Sequence, residues 1–360
     1  MVINEKNTIC IWRLECYSYP PNSNQDLLMN QSGMIASSFI LIFILLFPLF
    51  FPWSYVGELL LSFLPYLAVI SGMAMIVVLI FLRKSMKPGY RLPSLRPFRA
   101  LSFLMFSFFF FWYSRNINHF YTTQIQPSQV QSWNITILFA NIHKDNISYD
   151  AIRNLISKTN PDMLMFVEFT DHHYDNLKDF LQSSYPYTNT TTWSKKFVGS
   201  MVFSKYPIIN RADDFPQWMR RYGYFSLPLS WHEIYFYLVH TSSPDSYNHF
   251  VMRNDHLTTL VTDFSKHESD RKHEDITVVW DFNITPWSYY YPILSQAFSW
   301  ELENMTSRLP FLFTWRAKYF PFLFAHIDHL RTSQSLHIQN LKAIDMPGSD
   351  HQALLFTITP

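Results

Sequence analysis

Two regimes of hydrophobic patterning divide the chain. From Met34 to Trp53 the run MIASSFILIFILLFPLFFPW carries no charge, and at a helical rise of about 1.5 Å per residue it spans about 30 Å, one hydrocarbon core. A second uncharged run, Leu59 to Leu82, is also long enough to cross, and its GMAM segment places small residues where helices approach closely. A third, Phe98 to Tyr113, is shorter, holds Arg99 near its start and ends in interfacial aromatics. The pattern predicts a polar segment over 1–33, a transmembrane region over 34–113 with spans near 34–53, 59–82 and 98–113, and a Gln/Ser/Asn-rich linker over 114–132.

Beyond residue 133 the runs become short and β-branched and alternate with helical spacing. Strands are predicted at Asn134–Ala140, Asp162–Glu168, Phe197–Ser204, Tyr222–Leu227, Ile234–His240, Ile276–Asp281, His326–Leu330, Leu336–Ile344 and Ala353–Ile358. Helices are predicted at Ser148–Thr159, stopped by Asn160-Pro161, at Asp171–Ser184, near Phe250–Lys266 and near Trp287–Ala297. Many strands and few helices over residues 133–360 fit an α/β fold of four layers, two packed, mostly antiparallel sheets flanked by helices, preceded by the transmembrane helices.

Charge adds an orientation. Arg83, Lys84, Lys87, Arg91, Arg96 and Arg99 lie between the second and third runs without one acid, the signature of a cytoplasmic loop. Three spans then put the N-terminus in the cytoplasm and the C-terminal domain outside it; two spans would put that domain inside. The expectation is an integral membrane protein whose C-terminal domain is extracytoplasmic. The first run is read as retained, because 33 residues precede it and no short cleavage pattern follows. Cys10 and Cys16 both precede the first run, which excludes a disulfide, a cysteine-ligated zinc site and a cysteine nucleophile from the C-terminal region.

Polar residues recur at the ends of the apolar strands: Asn141 after ITILFA, Glu168 after MLMFV, His240 after IYFYLV, Asp281 after ITVVW, and Asp328 within FAHID. Carboxylates that end apolar strands are costly to desolvate unless something positive meets them. Oxygen donors without thiols favour Mg²⁺, Mn²⁺ or Ca²⁺ over zinc. Asp281 and Asn283, two apart in WDFNITPWS, project to one face of an extended chain. Asp350 and His351 follow the Gly348-Ser349 turn in PGSDHQAL.

These blocks, NI at 141–142, FVE ending at Glu168, VHTSSP at 239–244, DFNITPWS at 281–288, IDH at 327–329 and GSDH at 348–351, occur in an order and spacing that resembles the endonuclease/exonuclease/phosphatase superfamily, the deoxyribonuclease-like fold, in membrane-anchored, bacterial-type members. The resemblance covers roughly Trp133 to the C-terminus. It implies Mg²⁺, with Mn²⁺ as an alternative, held by Asn141, Glu168 and Asp350. It implies His240 on the phosphate, Asp281 on the attacking water, Asn283 on a phosphoryl oxygen and His351 paired with Asp328, leaving open which of Asp281 and His351 accepts the water's proton. The implied reaction is nuclease-like hydrolysis of a phosphodiester or phosphomonoester by in-line attack of water.

The resemblance departs at Trp280, where the family pattern usually carries Gly; a ring there is expected to reshape the pocket or offer a stacking surface, and it keeps open a catalytically weakened binding or scaffold module. Arg253 is read as either a phosphate contact or a solvated helix residue, and His326 and His329 as structural. The substrate is left between nucleic acid and phospholipid. Residues 131–360 carry 19 Lys+Arg against 23 Asp+Glu, which disfavours a nucleic-acid stripe, whereas the bilayer beside the anchor and the aromatics of Phe215–Tyr224 and Leu309–Phe324 suit a phospholipid or sphingomyelin-type phosphodiesterase.

Overall fold

In the computed structural model of the protein, the described residues are 3–4, 8–11, 15–18, 23–85, 96–121, 133–189, 199–211, 222–229, 232–266, 275–298, 302–309 and 312–359. The chain forms two compact units, Met1–Phe50 with Ala68–Phe111, and Phe51–Leu67 with Trp112–Pro360.

The first unit begins with three short antiparallel strands, β1 (Ile3–Asn4), β2 (Thr8–Ile11) and β3 (Glu15–Ser18), and holds helix α1 (Ser23–Phe50) with most of α3 (Leu64–Ser85) and α4 (Arg96–Phe120). Between α1 and α3 lies the short helix α2 (Tyr55–Ser62). The expected run over 59–82 is therefore broken at Phe63, and Pro65 sits in the first turn of α3, where its missing N–H costs nothing. Among the described residues, one helix, Leu64–Arg83, is long and apolar enough to cross a membrane; Ile35–Phe50 and Tyr55–Ser62 meet the same measure only as a pair bent by 105°. The third run lies in α4, which also carries Arg96 and Arg115 and continues through Ser114–Phe120, into the segment read as a linker. Within this unit α3 and α4 touch closely at Gly72, where a Cβ would lie 3.0 Å from the Phe110 ring, the use expected of small residues between apolar helices.

The second unit is a four-layer sandwich. Its elements in chain order are β4 (Ile135–Asn141), α5 (Tyr149–Thr159), β5 (Met163–Phe169), α6 (Asp171–Ser184), β6 (Tyr187–Thr188), β7 (Gly199–Ser204), β8 (Ile209–Asn210), β9 (Gly223–Leu229), β10 (His232–His240), α7 (Tyr247–Lys266), β11 (Asp275–Asp281), α8 (Tyr291–Phe298), β12 (Leu302–Asn304), β13 (Trp315–Arg316), β14 (Phe324–Ala325), β15 (Asp328–Ser333), β16 (His337–Asp345) and β17 (Gln352–Thr359). One six-stranded sheet has the order β16-β17-β4-β5-β7-β6 and the other β12-β15-β11-β10-β9-β8. Each is antiparallel except at its centre, where β4 pairs parallel with β5 and β10 parallel with β11. The four-layer expectation holds in this unit.

Period-two alternation explains the layers. Ile137, Phe139, Met165, Phe236, Leu238, Val279 and Leu330 face into the core between the sheets. Their neighbours Leu138, Leu164 and Phe166 meet Ile152, Ile156 and Leu177 of α5 and α6 on one outer face. Tyr237, Val278 and Trp280 meet Leu257, Leu260 and Leu294 of α7 and α8 on the other. The helix α5 ends as its sequence requires: Asn160 adopts the left-handed conformation (φ 43°), its N–H bonds the carbonyl of Ile156, and Pro161 follows.

Candidate active site

The inward columns of the two sheets end in polar groups at one rim. Ile137 and Phe139 lead to Asn141, Phe236 and Leu238 to His240, Val279 to Asp281, and Leu330, on the antiparallel neighbour, back to Asp328. In register, His240 lies beside Asp281 across the parallel pair, and Asp281 opposite Asp328 across the antiparallel one. The same alternation that builds the core thus delivers four polar side chains to the space between the sheets.

Glu168 arrives differently. Continued alternation along β5 would turn it toward α5 and α6, since Val167 faces the inner core. The ladder to β7 shifts register between Phe166 and Phe169, and Glu168 takes a left-handed φ of 56°. That conformation is unfavourable for a residue with a Cβ, and it rotates the carboxylate to the rim. Its Oε2 accepts a 2.9 Å hydrogen bond from the Lys144 amide and its Oε1 one of 3.1 Å from Asn141 Nδ2.

Asp281 is the hub. Its Oδ2 accepts from Asn141 Nδ2 at 3.0 Å and lies 3.8 Å from His240 Nε2 and 3.7 Å from His351 Nε2, while Oδ1 accepts from the Asn283 amide at 3.0 Å. Asn283 also has a left-handed backbone, φ 52°, and its Nδ2 donates to the Thr241 carbonyl at 3.1 Å. His240 Nε2 stands 3.6 Å from Glu168 Oε1. His351 Nδ1 is 3.0 Å from Asp328 Oδ2, the expected dyad. The loop carrying His351 depends on Gly348, whose φ of 79° and position, with a built Cβ only 2.1 Å from Asn146 Oδ1, exclude a side chain. Ser349 then ties this loop to β4, donating to the Asn141 carbonyl at 2.8 Å.

Seven of the eight expected residues are joined in this way. Asp350 is turned elsewhere: its Oδ2 accepts from Trp315 Nε1 at 2.9 Å and its carbonyl from the Arg316 amide. The Trp315 strand also bridges His351, so Asp350 orients the wall beside the dyad. Trp280 does not enter the pocket. It is buried in the outer core, stacked on Phe282 at 4.5 Å, because it points opposite to Asp281. Arg253 is neither solvated nor free for phosphate; it is wholly buried and bound to Glu58, Asn254 and the Asn283 carbonyl. His326 and His329 are buried against one another, with His329 Nε2 at the Ile284 carbonyl, and are structural as expected.

The electrostatics follow from burial and spacing. Burial opposes ionisation of Glu168, but His240, the Lys144 amide and Asn141 outweigh it and hold the carboxyl below its usual range. Burial and the facing Asp328 carboxylate push Asp281 up. Burial works against a charged His351, yet Asp328 and Asp281 on either side raise it well above an ordinary imidazole. The site sets three carboxyl groups, those of Glu168, Asp281 and Asp328, against two imidazoles, one more acid than base.

That surplus fits a divalent cation. Asp281, Asp328 and His351 each offer a ligand atom within 4.8 Å of the others, and the buried Asp328 Oδ1 lacks a hydrogen-bond partner. Glu168, partly exposed and ionised beside Asn141, is the accessible carboxylate at the rim. Oxygen and imidazole donors without thiolate suit a hard or borderline ion.

By fold the protein is similar to truncated TDP2 from Caenorhabditis elegans, at 15% identity and a TM-score of 0.50, over 64% of this chain and all of that one. The beta toxin of Staphylococcus aureus follows at 18% identity and a TM-score of 0.44, over 62% of this chain and 99% of that one. An endonuclease/exonuclease/phosphatase from Beutenbergia cavernae shares 14% identity at a TM-score of 0.46, over 63% and 71%. No curated protein matches by sequence. The model of the endonuclease/exonuclease/phosphatase family matches residues 116–351; the chain belongs to that family and is a metal-dependent phosphoric ester hydrolase.

Proposed function

We propose that the protein is a membrane-anchored phosphodiesterase that hydrolyses its substrate with Mg²⁺ by in-line attack of water, outside the cytoplasm. The observation that supports the reaction best is the position of Asp281 Oδ2, within 4 Å of Asn141, His240 and His351 from three other strands or loops. Glu168 and Asn141 would hold the cation, which supplies charge neutralisation on the phosphoryl oxygens when bound. His240 and Asn283 are the donors for those oxygens. His351, charged between two carboxylates, is poised to give a proton rather than take one, which leaves Asp281, whose affinity for protons is raised, to accept the proton of the attacking water. Asp328 fixes the imidazole through Nδ1, so that Nε2 faces the reacting group.

The location rests on the connector between α1 and α3. Phe51–Leu67 belongs to the same unit as the catalytic sandwich. If the basic segment around Arg83–Arg99 is cytoplasmic, crossing by α3 leaves the connector, and with it the catalytic sandwich, on the opposite side; α4 must then cross despite its arginines. Purified full-length protein in detergent, assayed on bis-p-nitrophenyl phosphate, tests the reaction: turnover should require Mg²⁺ and vanish in Asp281→Ala, and survival of turnover in excess chelator overturns the reading. A reporter fused after Pro360 tests the side; activity of a cytoplasm-only reporter overturns the location.

For the substrate, one observation favours a phospholipid. The loop between β13 and β14 exposes Tyr319, Phe320 and Phe322 by 82%, 58% and 68%. Tyr66, in the first turns of α3, secures the loop, donating to the Phe322 carbonyl at 2.8 Å and accepting from the Phe324 amide at 2.7 Å. Exposed rings fixed to the start of the most apolar helix suit insertion at a headgroup boundary. A cleft of about 470 Å³, lined by Trp315, Asp350, His351 and Lys342, adjoins the dyad. Replacing the three rings by Ser should depress turnover of phospholipid in vesicles and spare the soluble diester; equal loss on both, or preferential turnover of DNA or RNA, overturns the lipid reading.

A further inference from the structure

Glu58 lies in the connector between the two most apolar helices, yet it is wholly buried in the catalytic unit. The turn that delivers it is tight: Ser54 caps α2, and a Cβ on Gly57 would fall 1.9 Å from the Phe51 carbonyl oxygen. Trp287 Nε1 donates to the Ser62 carbonyl at the other end of α2. The far end of α2 is thus fastened to the segment that follows Asn283.

Glu58 uses both carboxylate oxygens. Oε1 accepts from Arg253 Nη2 at 3.0 Å and from the Ser288 hydroxyl, and Oε2 from the Tyr289 amide at 3.1 Å. Arg253, equally buried and flanked by the Phe250 and Tyr290 rings, spends its other donors on Asn254 Oδ1 and, through Nη1, on the carbonyl of Asn283 at 3.1 Å. Asn283 is the residue whose left-handed backbone turns its main-chain N–H to the Asp281 carboxylate and its side-chain Nδ2 to the Thr241 carbonyl. A residue with a Cβ holds that conformation only where its surroundings over-determine it. The Arg253 donor is one such restraint, and the ion pair with Glu58 aims it.

We infer that Glu58 and Arg253 are positioning residues: the membrane connector sets, through Arg253, the Asn283 peptide and hence the phosphoryl-binding side of the active site, so that the catalytic unit is complete only with its connector. This rests on the assignment of Asn283 to the substrate's phosphoryl oxygen, but the segment Asp281–Ser288 reports on it independently of turnover.

The test uses the full chain in detergent with Glu58→Met and Arg253→Met combined. Apolar residues of similar length replace a buried ion pair without stranding either charge, and such exchanges leave folds intact. The double variant should melt within a few degrees of wild type, while amide exchange over residues 281–288, measured by mass spectrometry without metal, accelerates at least tenfold and kcat on the soluble diester falls at least tenfold with KM changed less. Wild-type exchange and kcat in the double variant overturn the inference. Should that variant fail to fold, Arg253→Lys preserves the charge but lacks the planar fork that spans Glu58 and Asn283; it should show the same local exchange, and protection equal to wild type overturns the proposal. A wild-type protein with no phosphodiesterase activity would sink the proposed function while the exchange result still decides the connector's role.

Discussion

Asp281 and Asp328 stand directly opposite one another on adjacent antiparallel strands, both fully buried. Like charges so placed repel, and the imidazole of His351 relieves them, with Nδ1 at 3.0 Å from one and Nε2 at 3.7 Å from the other. Burial opposes the charge on His351, and the two acids more than restore it.

The first prediction follows from that charge. A raised folded-state pKa gives stability that is complete below the imidazole's ordinary value of about 6.5 and is lost as pH rises through the elevated one. Metal-free wild-type protein should therefore lose stability from neutral to alkaline pH. Asp328→Asn removes the strongest support of the charge, so its melting temperature should vary less over that interval, and kcat should fall by about 10²–10⁴, the worth of a positioned acid or base. Parallel melting curves for both proteins, with an unchanged alkaline slope in the variant, would exclude the charged dyad.

Metal binding isolates Glu168. Its carboxyl, held below the usual range chiefly by His240 against the opposing effect of burial, remains ionised through mildly acidic pH. Glu168→Gln keeps the shape and removes the charge. Calorimetric titration with Mg²⁺ should show affinity weakened by at least about 10–100-fold, the scale set by loss of groups that support a metal. Affinity equal to wild type would move the cation away from the Glu168 rim, toward Asp281 and Asp328.

How much of this was legible in the sequence depended on whether local periodicity governs the residue. Asn141, His240, Asp281 and Asp328 continue the inward columns of their strands, so reading alternation to the strand end finds them. Glu168 is legible by residue type and its place at a strand end, although alternation alone assigns it to the wrong face; the left-handed φ and the register shift that correct it are tertiary choices. Glu58 carried no signal, since an acid between two apolar runs reads as a solvated loop residue, and its partner lies 195 positions away. Arg253, on a helix after the VHTSSP block, reads as a phosphate contact or a solvated residue, because sequence spacing carries no trace of the buried bridge it makes from Glu58 to the Asn283 carbonyl.

Trp280 shows the converse, a residue whose type misled where its parity was informative. The column Ile276, Val278, Trp280 belongs to the outer core. Trp280→Phe should keep kcat within a few-fold, whereas Trp280→Ala should cost about 3–5 kcal/mol of stability, as large-to-small changes at wholly buried aromatics do. Chemical denaturation with parallel kinetics separates the two effects. Altered substrate preference in Trp280→Phe at unchanged stability would return the ring to the pocket.

His173 links the two loops that carry the metal-side residues. Its Nδ1 accepts from the Thr170 amide at 3.0 Å in a capping box at the start of α6, and its Nε2 donates to the Asn146 carbonyl at 3.0 Å. Burial pushes this imidazole down to about 4, and protonation at Nδ1 would set a second proton against the Thr170 N–H. A depressed folded-state pKa gives stability present above about 6.5 and lost as pH falls toward 4. His173→Gln retains a side chain able to complete the capping box but cannot titrate. Its melting temperature should fall less than that of wild type between pH 6.5 and 4, while His326 and His329, also buried and depressed, leave a residual acid sensitivity in both proteins. Identical acid slopes for the two would show that His173 takes up its proton as readily in the folded as in the unfolded chain, with Nδ1 then donating to the Thr170 hydroxyl 2.9 Å away rather than accepting from the amide.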